Sequence, residues 1–399
     1  MTKFDNLLMK YPRSPRAVYG KAVALDKRAE AEKSNQLLEQ AIDQYLKVLD
    51  LPDVPKSLLV KAGKICADKQ TFRGWGFKAT KTLQRLLEVY PDDVELWNAL
   101  GVKYLMIHRN DEARSAFEQS LAKDPEDGFA KVHYGFIVKS VDHKYEDAIP
   151  YLREGINTNA SGVIDGRFFF HLGDALHRTG KPDEALEVYE SGAQHGVFMS
   201  KWQRSLYNVD GLTARPWWTH QQTGQAKFLK MLEDNWQTIR DEGLAQMDPK
   251  SGSFVLEDED LRESGDWKQF TLYVQGRKNH KNCAKAPKTC AIVDQFPDVA
   301  KCRRGQVKFS VMHPGVHVWP HCGPTNCRLR SHIGLVVPDG IRIRVVNETR
   351  GWSEGKAFVF DDSFEHEVWH EGDAYRLVLI SDMWHPGLTS HHKQTLPAI

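Results

Sequence analysis

The sequence predicts an α+β multidomain chain, in which paired helices over residues 1–200 precede an antiparallel double-stranded β-helix, or jelly roll, over residues 201–399. Three observations predict this organisation. Small alanines recur at steps of 34, 35 and 37 residues in the first half. Aromatic, Gly and Pro residues crowd the stretch just after residue 200, which is typical of a connection between domains. From about residue 268, short β-branched and aromatic segments alternate with Gly, Pro, Asn and Asp turns at the spacing of a barrel.

The helical half carries a repeat signature. Its residues follow the spacing of tetratricopeptide repeats and are Trp97, Leu100, Gly101, Tyr104, Ala113, Phe117 and Pro125. The recurring alanines, each expected to open the second helix of a pair, are Ala79, Ala113, Ala148 and Ala185. Pro91 lies 34 residues before Pro125, and each ends a helix pair because proline cannot continue a helix. We therefore expect four or five stacked tetratricopeptide-like hairpins. The Trp, Leu and Tyr residues of the signature form their core, and the array offers a concave surface for a protein or peptide.

Composition limits the classes of partner. Lys and Arg total 54 against 53 Asp and Glu, so the chain has no basic field for nucleic acid or an anionic membrane. No run of about 18 apolar residues occurs, and the first residues lack the apolar centre of a secretory signal. We therefore expect no nucleic-acid partner and no membrane contact by this segment. A start so close to the first repeat also fits a portion of a longer protein.

Cysteine usage points to one candidate cross-link. Cys283 and Cys290 bracket the polar loop CAKAPKTC, and closing so short a loop would contribute roughly 2 to 3 kcal/mol. The alternative is two free thiols. The glycosylation sequons at Asn159 and Asn347 add slight weight to an oxidising compartment.

Two histidines of the strand region stand out as metal ligands. His321 lies where a strand ends in a Gly and Pro turn, and His366 follows an acidic turn 45 residues later. A jelly roll brings such strand ends together. Arg376 follows His366 on the next predicted strand, where a guanidinium can hold a carboxylate with paired donors, as in 2-oxoglutarate oxygenases. The usual iron site adds a carboxylate two residues after the first histidine, but that position is Gly323. Either water or another group replaces the carboxylate, or this is not a metal site.

Three strings in the second half carry a resemblance to a known family. They are WPHCGPTNCRLRSHIGLVVP, DDSFEHEVWH and LPAI. With the repeats, the whole chain resembles the aspartyl/asparaginyl β-hydroxylases, in their lumenal portion of tetratricopeptide-like repeats and oxygenase domain. That family holds iron with two histidines and no carboxylate, so the resemblance accounts for Gly323.

The resemblance also implies roles for individual residues. His321 and His366 correspond to the catalytic iron ligands, and Cys283 with Cys290 to a disulfide loop. The residues implied to hold 2-oxoglutarate are Ser310, Arg330, His332 and Arg376. The residues implied to contact substrate are Tyr207, Asp258, Arg262, Lys308, Arg328 and Arg330. For Ser310 the alternative is an ordinary strand hydroxyl, and for the charged residues it is a solvated surface position.

The function implied is that of an Fe(II)- and 2-oxoglutarate-dependent dioxygenase. It would use O2 to hydroxylate the β-carbon of Asp or Asn in epidermal-growth-factor-like domains of secreted or membrane proteins, giving succinate and CO2. The location implied is the endoplasmic reticulum lumen, with a membrane anchor outside this chain. Two alternatives are open: a halogenase that uses the vacant position at Gly323, and a repeat scaffold without catalysis.

Overall fold

A computed structural model of the protein describes residues 2–248, 252–257 and 261–399. The chain divides into two compact units, Met1–Thr179 and Gly180–Ile399. The first is helical, and the second contains all the strands of the described residues. This confirms the predicted fold class.

The first unit is built from helical hairpins. Its helices are α1 (Thr2–Lys10), α2 (Pro15–Glu32), α3 (Asn35–Asp50), α4 (Lys56–Phe72), α5 (Gly76–Val89), α6 (Val94–Met106), α7 (Asn110–Lys123), α8 (Gly128–Ser140), α9 (Tyr145–Asn157) and α10 (Gly166–Arg178). Side-chain oxygens accept hydrogen bonds from the free N–H groups of the first turn at Ser14, Ser34, Asp93, Asp127 and Asp165. The described residues form four hairpins, α2 to α9, within the predicted number.

Leu100 and Tyr104 are buried in the core of these hairpins, as predicted, and Trp97 packs against it while partly buried. Ala79, Ala113 and Ala148 are fully buried in the second helices of their pairs. A Cβ on Gly101 would lie 2.6 Å from the ring of Phe117. The absence of side-chain bulk therefore lets α6 and α7 pack closely.

The next helix, α11 (Pro182–Gln194), belongs to the second unit. The compact unit ends at Thr179, and our domain boundary at residue 200 stays a prediction. Within the second unit, the Cζ of Arg204 lies 3.7 Å from the centre of the Tyr189 ring.

The second unit contains two antiparallel sheets. Its strands are β1 (Trp217–Trp218), β2 (Val255–Leu256), β3 (Arg262–Ser264), β4 (Trp267–Val274), β5 (Arg277–Lys278), β6 (Gln306–Met312), β7 (His317–His321), β8 (Arg328–Val336), β9 (Ile341–Val345), β10 (Glu348–Arg350), β11 (Ala357–Phe360), β12 (His366–His370) and β13 (Arg376–Trp384). The larger sheet has the order β1-β11-β8-β13-β6-β4-β2, with β5 beside β4, and the smaller has the order β10-β9-β12-β7-β3. The strands predicted from residue 268 onward are all present.

Helices also occur in the second unit. After α11 they are α12 (Ala226–Asp234), α13 (Trp236–Leu244), α14 (His280–Cys283), α15 (Pro287–Asp294), α16 (Pro297–Ala300) and α17 (Ser390–Thr395). The segment from Cys283 to Cys290, which we predicted as a polar loop, is instead largely helical. The carboxylate of Glu242 accepts the N–H groups of Lys288 and Thr289 at 2.8 Å, which caps α15. The predicted disulfide joins the two cysteines.

Strand β13 explains how the layers assemble. Leu377 and Leu379 join the core beneath α12, α13 and α15, whereas Val378 and Ile380 join the core shared with the smaller sheet. Alternate residues of a strand point to opposite faces, so a strand that is buried on both faces has an unbroken apolar run. The larger sheet is thus the middle layer of the second unit.

No helix in the described ranges has the length and apolar character needed to cross a bilayer.

Phe117→Ala tests the repeat core. The variant should lower the free energy of unfolding of the helical unit by about 3 to 5 kcal/mol, because it removes a fully buried ring and leaves a cavity. Denaturant unfolding followed by the helical circular dichroism signal measures this loss. The control is Phe77→Ala, whose ring is 61% exposed and whose loss should change stability by no more than about 0.5 kcal/mol. Equal effects of the two variants would contradict the assignment.

Candidate functional site

His321 and His366 lie side by side. Antiparallel pairing of β7 with β12 places them directly opposite each other, and their ring centroids are 4.1 Å apart. Nδ1 of His321 lies 2.8 Å from the carbonyl oxygen of Trp319, and Nδ1 of His366 lies 2.9 Å from that of Phe364. Because a carbonyl can only accept, each Nδ1 carries the hydrogen, and in a neutral ring Nε2 carries the lone pair. Both side chains therefore present a metal-binding atom in a fixed tautomer.

The surroundings of His366 keep its imidazole neutral. Burial, and next the nearby His321, lower the pKa of His366 well below its usual value. Across residues 2–248, 252–257 and 261–399, no three His, Cys, Asp or Glu side chains are arranged to hold a metal ion. A metal here would accordingly have two protein ligands and take its remaining ligands from small molecules.

The carboxylate of Asp362 fills the space that a side chain at position 323 would occupy. A Cβ on Gly323 would lie 2.5 Å from Oδ2 of Asp362, so a side chain at this position would overlap with the carboxylate. The N–H of Gly323 also donates to the Asp362 carbonyl. Burial alone would raise the pKa of Asp362, but Arg328 and Arg330 hold it below its usual range. We did not predict this residue, although it lies only four residues before His366.

Arg328 and Arg330 belong to a buried ion network. Arg328 donates from Nη2 to Oδ2 of Asp362 at 2.6 Å and from Nη1 to the carbonyl oxygen of Arg304. Arg330 donates from Nε and Nη2 to the two oxygens of Asp382 at 2.8 and 3.0 Å. Its Nη1 lies 3.3 Å from Asp362. The carboxylates of Asp362 and Asp382 thus balance the charges of the two guanidinium groups. Arg328, which we predicted to contact substrate, is only 6% exposed.

Arg376 is buried without a carboxylate partner. Its Nη2 donates to Oγ of Ser310 at 3.1 Å, while Nε and Nη1 have no hydrogen-bond partner in the described part of the chain. Burial lowers the pKa of the guanidinium to about 9. A buried charge without compensation costs several kcal/mol, so this arrangement is suited to an incoming anion.

Ser310 is held in place by two donors. Nε1 of Trp267 donates to its Oγ at 2.9 Å, alongside the bond from Arg376. A hydroxyl oxygen has two lone pairs and one hydrogen, so that hydrogen remains for an acceptor. We did not predict Trp267, because a lone Trp in a strand is usually a core residue.

These groups line one narrow cavity between the two sheets, with a volume of about 40 Å³. One water needs roughly 10 to 15 Å³, so a ligand here must be slender. The two ring nitrogens of His332 are buried without partners in the described residues. Burial, and next the charge of Arg376, lower the pKa of His332 far below its usual value. The polar lining residues are Lys308, Ser310, His321, Arg330, His332, His366 and Arg376.

The chemistry of this lining fits a metal ion together with a small anion. It includes three cationic side chains and no carboxylate. Neutral imidazoles suit a transition metal, and guanidinium and hydroxyl donors suit a carboxylate.

Other predicted substrate residues lie outside the cavity lining. Tyr207 is 54% exposed, and its carbonyl oxygen accepts from Nη1 of Arg304 at 2.6 Å. Arg262 begins β3 and donates to the carbonyl oxygen of Gly265 at 2.8 Å. Asp258 lies outside the described residues. The structure therefore brings Lys308 and Arg330 to the cavity, but not Tyr207 or Arg262.

Comparison with known proteins gives two sequence families. The aspartyl/asparaginyl beta-hydroxylase family matches residues 233–386. The tetratricopeptide repeat family matches residues 78–128 and 142–194. The match over residues 142–194 includes α11.

Curated relatives cover nearly the whole chain. The human aspartyl/asparaginyl beta-hydroxylase is 55% identical over 397 residues, which are 99% of this chain and 52% of the human protein. The mouse protein is 54% identical over 99% of this chain and 53% of its own length. The ornithine lipid ester-linked acyl 2-hydroxylase of Rhizobium tropici is 42% identical over 30% of this chain and 42% of its own. The chain spans about half the length of the two mammalian relatives.

The matches to the two mammalian relatives extend over 99% of this chain and therefore through both units. The chain belongs to the aspartyl/asparaginyl β-hydroxylase family.

Proposed function

We propose that this protein is an Fe(II)- and 2-oxoglutarate-dependent dioxygenase that hydroxylates the β-carbon of Asp or Asn in epidermal-growth-factor-like domains. One observation carries the proposal: His321 and His366 share a cavity with Arg376, a buried cation without a carboxylate partner. Its mammalian relatives are named as beta-hydroxylases of aspartyl and asparaginyl residues, which agrees with this chemistry.

Different residues of the cavity would bind iron and 2-oxoglutarate. Nε2 of His321 and of His366 would bind iron. Arg376 and Ser310 would hold the distal carboxylate of 2-oxoglutarate, while Arg330 and His332 would contact its other carboxylate and the nearby substrate. When bound, iron and 2-oxoglutarate supply the oxidising chemistry with O2, and 2-oxoglutarate is converted to succinate and CO2.

The residues around the metal position would set geometry and exclude water. His366 is buried and neutral, so it binds a metal without first losing a proton. Asp362 is fully buried beside Gly323 and held by Arg328, which fixes its carboxylate near the histidine pair. Fixed groups of this kind position the reacting atoms.

The same carboxylate favours hydroxylation over halogenation. A halide bound beside Gly323 would lie near the Asp362 carboxylate, which occupies the place of a side chain at this position. A negative charge there also repels a second anion.

The proposed substrate and compartment rest on charge and on the disulfide. Lys308 and Arg330 place cationic groups in the cavity lining, and a positively charged lining suits an acidic side chain. The guanidinium of Arg330 is held there by Asp382. A disulfide between Cys283 and Cys290 is typical of an oxidising compartment such as the endoplasmic reticulum lumen.

His366→Ala and His321→Ala should each abolish succinate formation and strongly reduce Fe(II) binding, because a single imidazole is a weak site. The assay follows succinate and the gain of one oxygen atom by an epidermal-growth-factor-like domain, with iron content measured in parallel under anaerobic conditions. His313→Ala is the control, since this ring is partly exposed and does not line the cavity. Normal iron content and turnover in His366→Ala would refute the metal assignment.

Arg376→Met should weaken 2-oxoglutarate binding about 30- to 150-fold, since loss of a charged hydrogen-bonding partner costs roughly 2 to 3 kcal/mol. Titration of the iron-free protein containing Mn²⁺ measures the affinity directly, and the KM for 2-oxoglutarate should rise in parallel. Arg277→Met removes an exposed arginine of β5 and should change neither value. Unchanged affinity in Arg376→Met would place 2-oxoglutarate elsewhere.

Gly323→Asp should not improve iron binding. Its Cβ would overlap with Asp362, and overpacking of this kind costs about 1 to 3 kcal/mol. Because the two side chains compete for one space, Gly323→Asp combined with Asp362→Ala should be more stable than the sum of the single effects. A double-mutant cycle of unfolding free energies measures this coupling. Additive effects would show that the two positions are independent.

A further inference from the structure

We infer that Trp352 is a positioning residue for the proposed 2-oxoglutarate site, and that its ring fixes Arg376 and His332. This inference rests on the proposed function, because both residues are assigned to 2-oxoglutarate there. Trp352 is 7% exposed and does not line the cavity, so it would act through its neighbours.

The ring of Trp352 contacts both residues. The Cζ of Arg376 lies 4.9 Å from the ring centre. The imidazole of His332 stacks on the ring at 5.9 Å, with an angle of 15° between the planes. One aromatic side chain therefore packs against two neighbouring polar groups of the cavity.

His332 and Arg376 make few hydrogen bonds, so their orientation depends on packing. Within the described residues, His332 has no hydrogen-bond partner at either ring nitrogen, and Arg376 has none at Nε or Nη1. The orientation of the imidazole must therefore come from ring contacts. A buried cation over the face of Trp is also stabilised by the negative charge of that face, more strongly when water is excluded.

Contacts of the aromatic ring of Trp352, rather than a hydrogen bond from its Nε1, hold this side chain in place. A buried Trp usually finds a partner for its N–H, yet Nε1 of Trp352 has none in the described part of the chain. The ring also packs on Phe358, with centroids 5.5 Å apart.

The loop that carries Trp352 is held against β8. The N–H of Gly355 donates to the carbonyl oxygen of Gly334 at 2.9 Å, and the N–H of Gly334 donates to that of Lys356 at 3.2 Å. A Cβ on Gly334 would lie 2.4 Å from the carbonyl oxygen of Ser353. Only glycine permits this approach, which places the loop two residues from His332 along the strand.

The experiment compares Trp352→Leu with Trp352→Phe in the full chain. Affinity for 2-oxoglutarate is measured by calorimetry on the anaerobic Mn²⁺-loaded protein, so that it does not depend on turnover. Trp352→Leu should bind roughly tenfold or more weakly, as expected for loss of a desolvated cation–π contact. The KM for 2-oxoglutarate should rise by the same factor, while kcat at saturation stays within about twofold, since the metal ligands are untouched. Trp352→Phe should recover most of the affinity because it keeps an aromatic face.

A matched control removes a similar stack outside the cavity. The Cζ of Arg342 lies 5.0 Å from the ring centre of Trp369, which does not line the cavity, so Trp369→Leu should bind 2-oxoglutarate normally. Normal affinity in Trp352→Leu, or equal weakening in the Leu and Phe variants, would overturn the inference alone. Failure of the wild-type protein to bind 2-oxoglutarate would overturn the proposed function and this inference with it.

Discussion

Strands β7 and β12 pair so that His321 faces His366, and the geometry of the candidate site depends on this register. Side chains alternate between the two faces of a strand, so a slip of one residue would turn His366 away from the cavity. Strand β12 also pairs with β9, which places Val345 beside His366. A strand with neighbours on both sides cannot slip without breaking two ladders of hydrogen bonds.

The buried arginines of the second unit differ in how their charges are compensated. Arg328 and Arg330 face Asp362 and Asp382, so their charges are balanced within the fold. Arg376 is equally buried but has only a serine hydroxyl as a hydrogen-bond partner in the described residues. Removing water from an unpaired guanidinium costs stability. An anion that binds there would recover part of that cost, which favours binding of a carboxylate.

The sequence predicted those features that depend on local pattern. The helical hairpins follow from the spacing of buried small residues such as Ala113, because neighbouring repeats pack only on each other. The strands follow from β-branched runs between turns. The histidine pair could be singled out because both members lie at strand ends, and the structure brings them together.

Features that depend on distant contacts were not predicted. Asp362 fills the space beside Gly323 only because the ends of two separate strands meet there. Trp352 lies in a loop, where no periodicity marks its partner. Helix α15 begins where Glu242 caps it from another helix, so the local sequence between the cysteines suggested a loop. The roles of the remaining site residues stay predictions until the proposed variants are measured.

At two glycines of the second unit, the space left by the missing side chain is occupied by another part of the chain. At Gly323 the missing side chain leaves room for the Asp362 carboxylate, and at Gly334 it leaves room for the backbone of the loop that carries Trp352. Each glycine makes space for a group that contacts the candidate site or its supporting residues. The absence of an acid two residues after His321 therefore does not leave an empty space beside Gly323. The negative charge lies instead on Asp362, which Arg328 and Arg330 hold in place, and the proposed metal ligands are the two imidazoles.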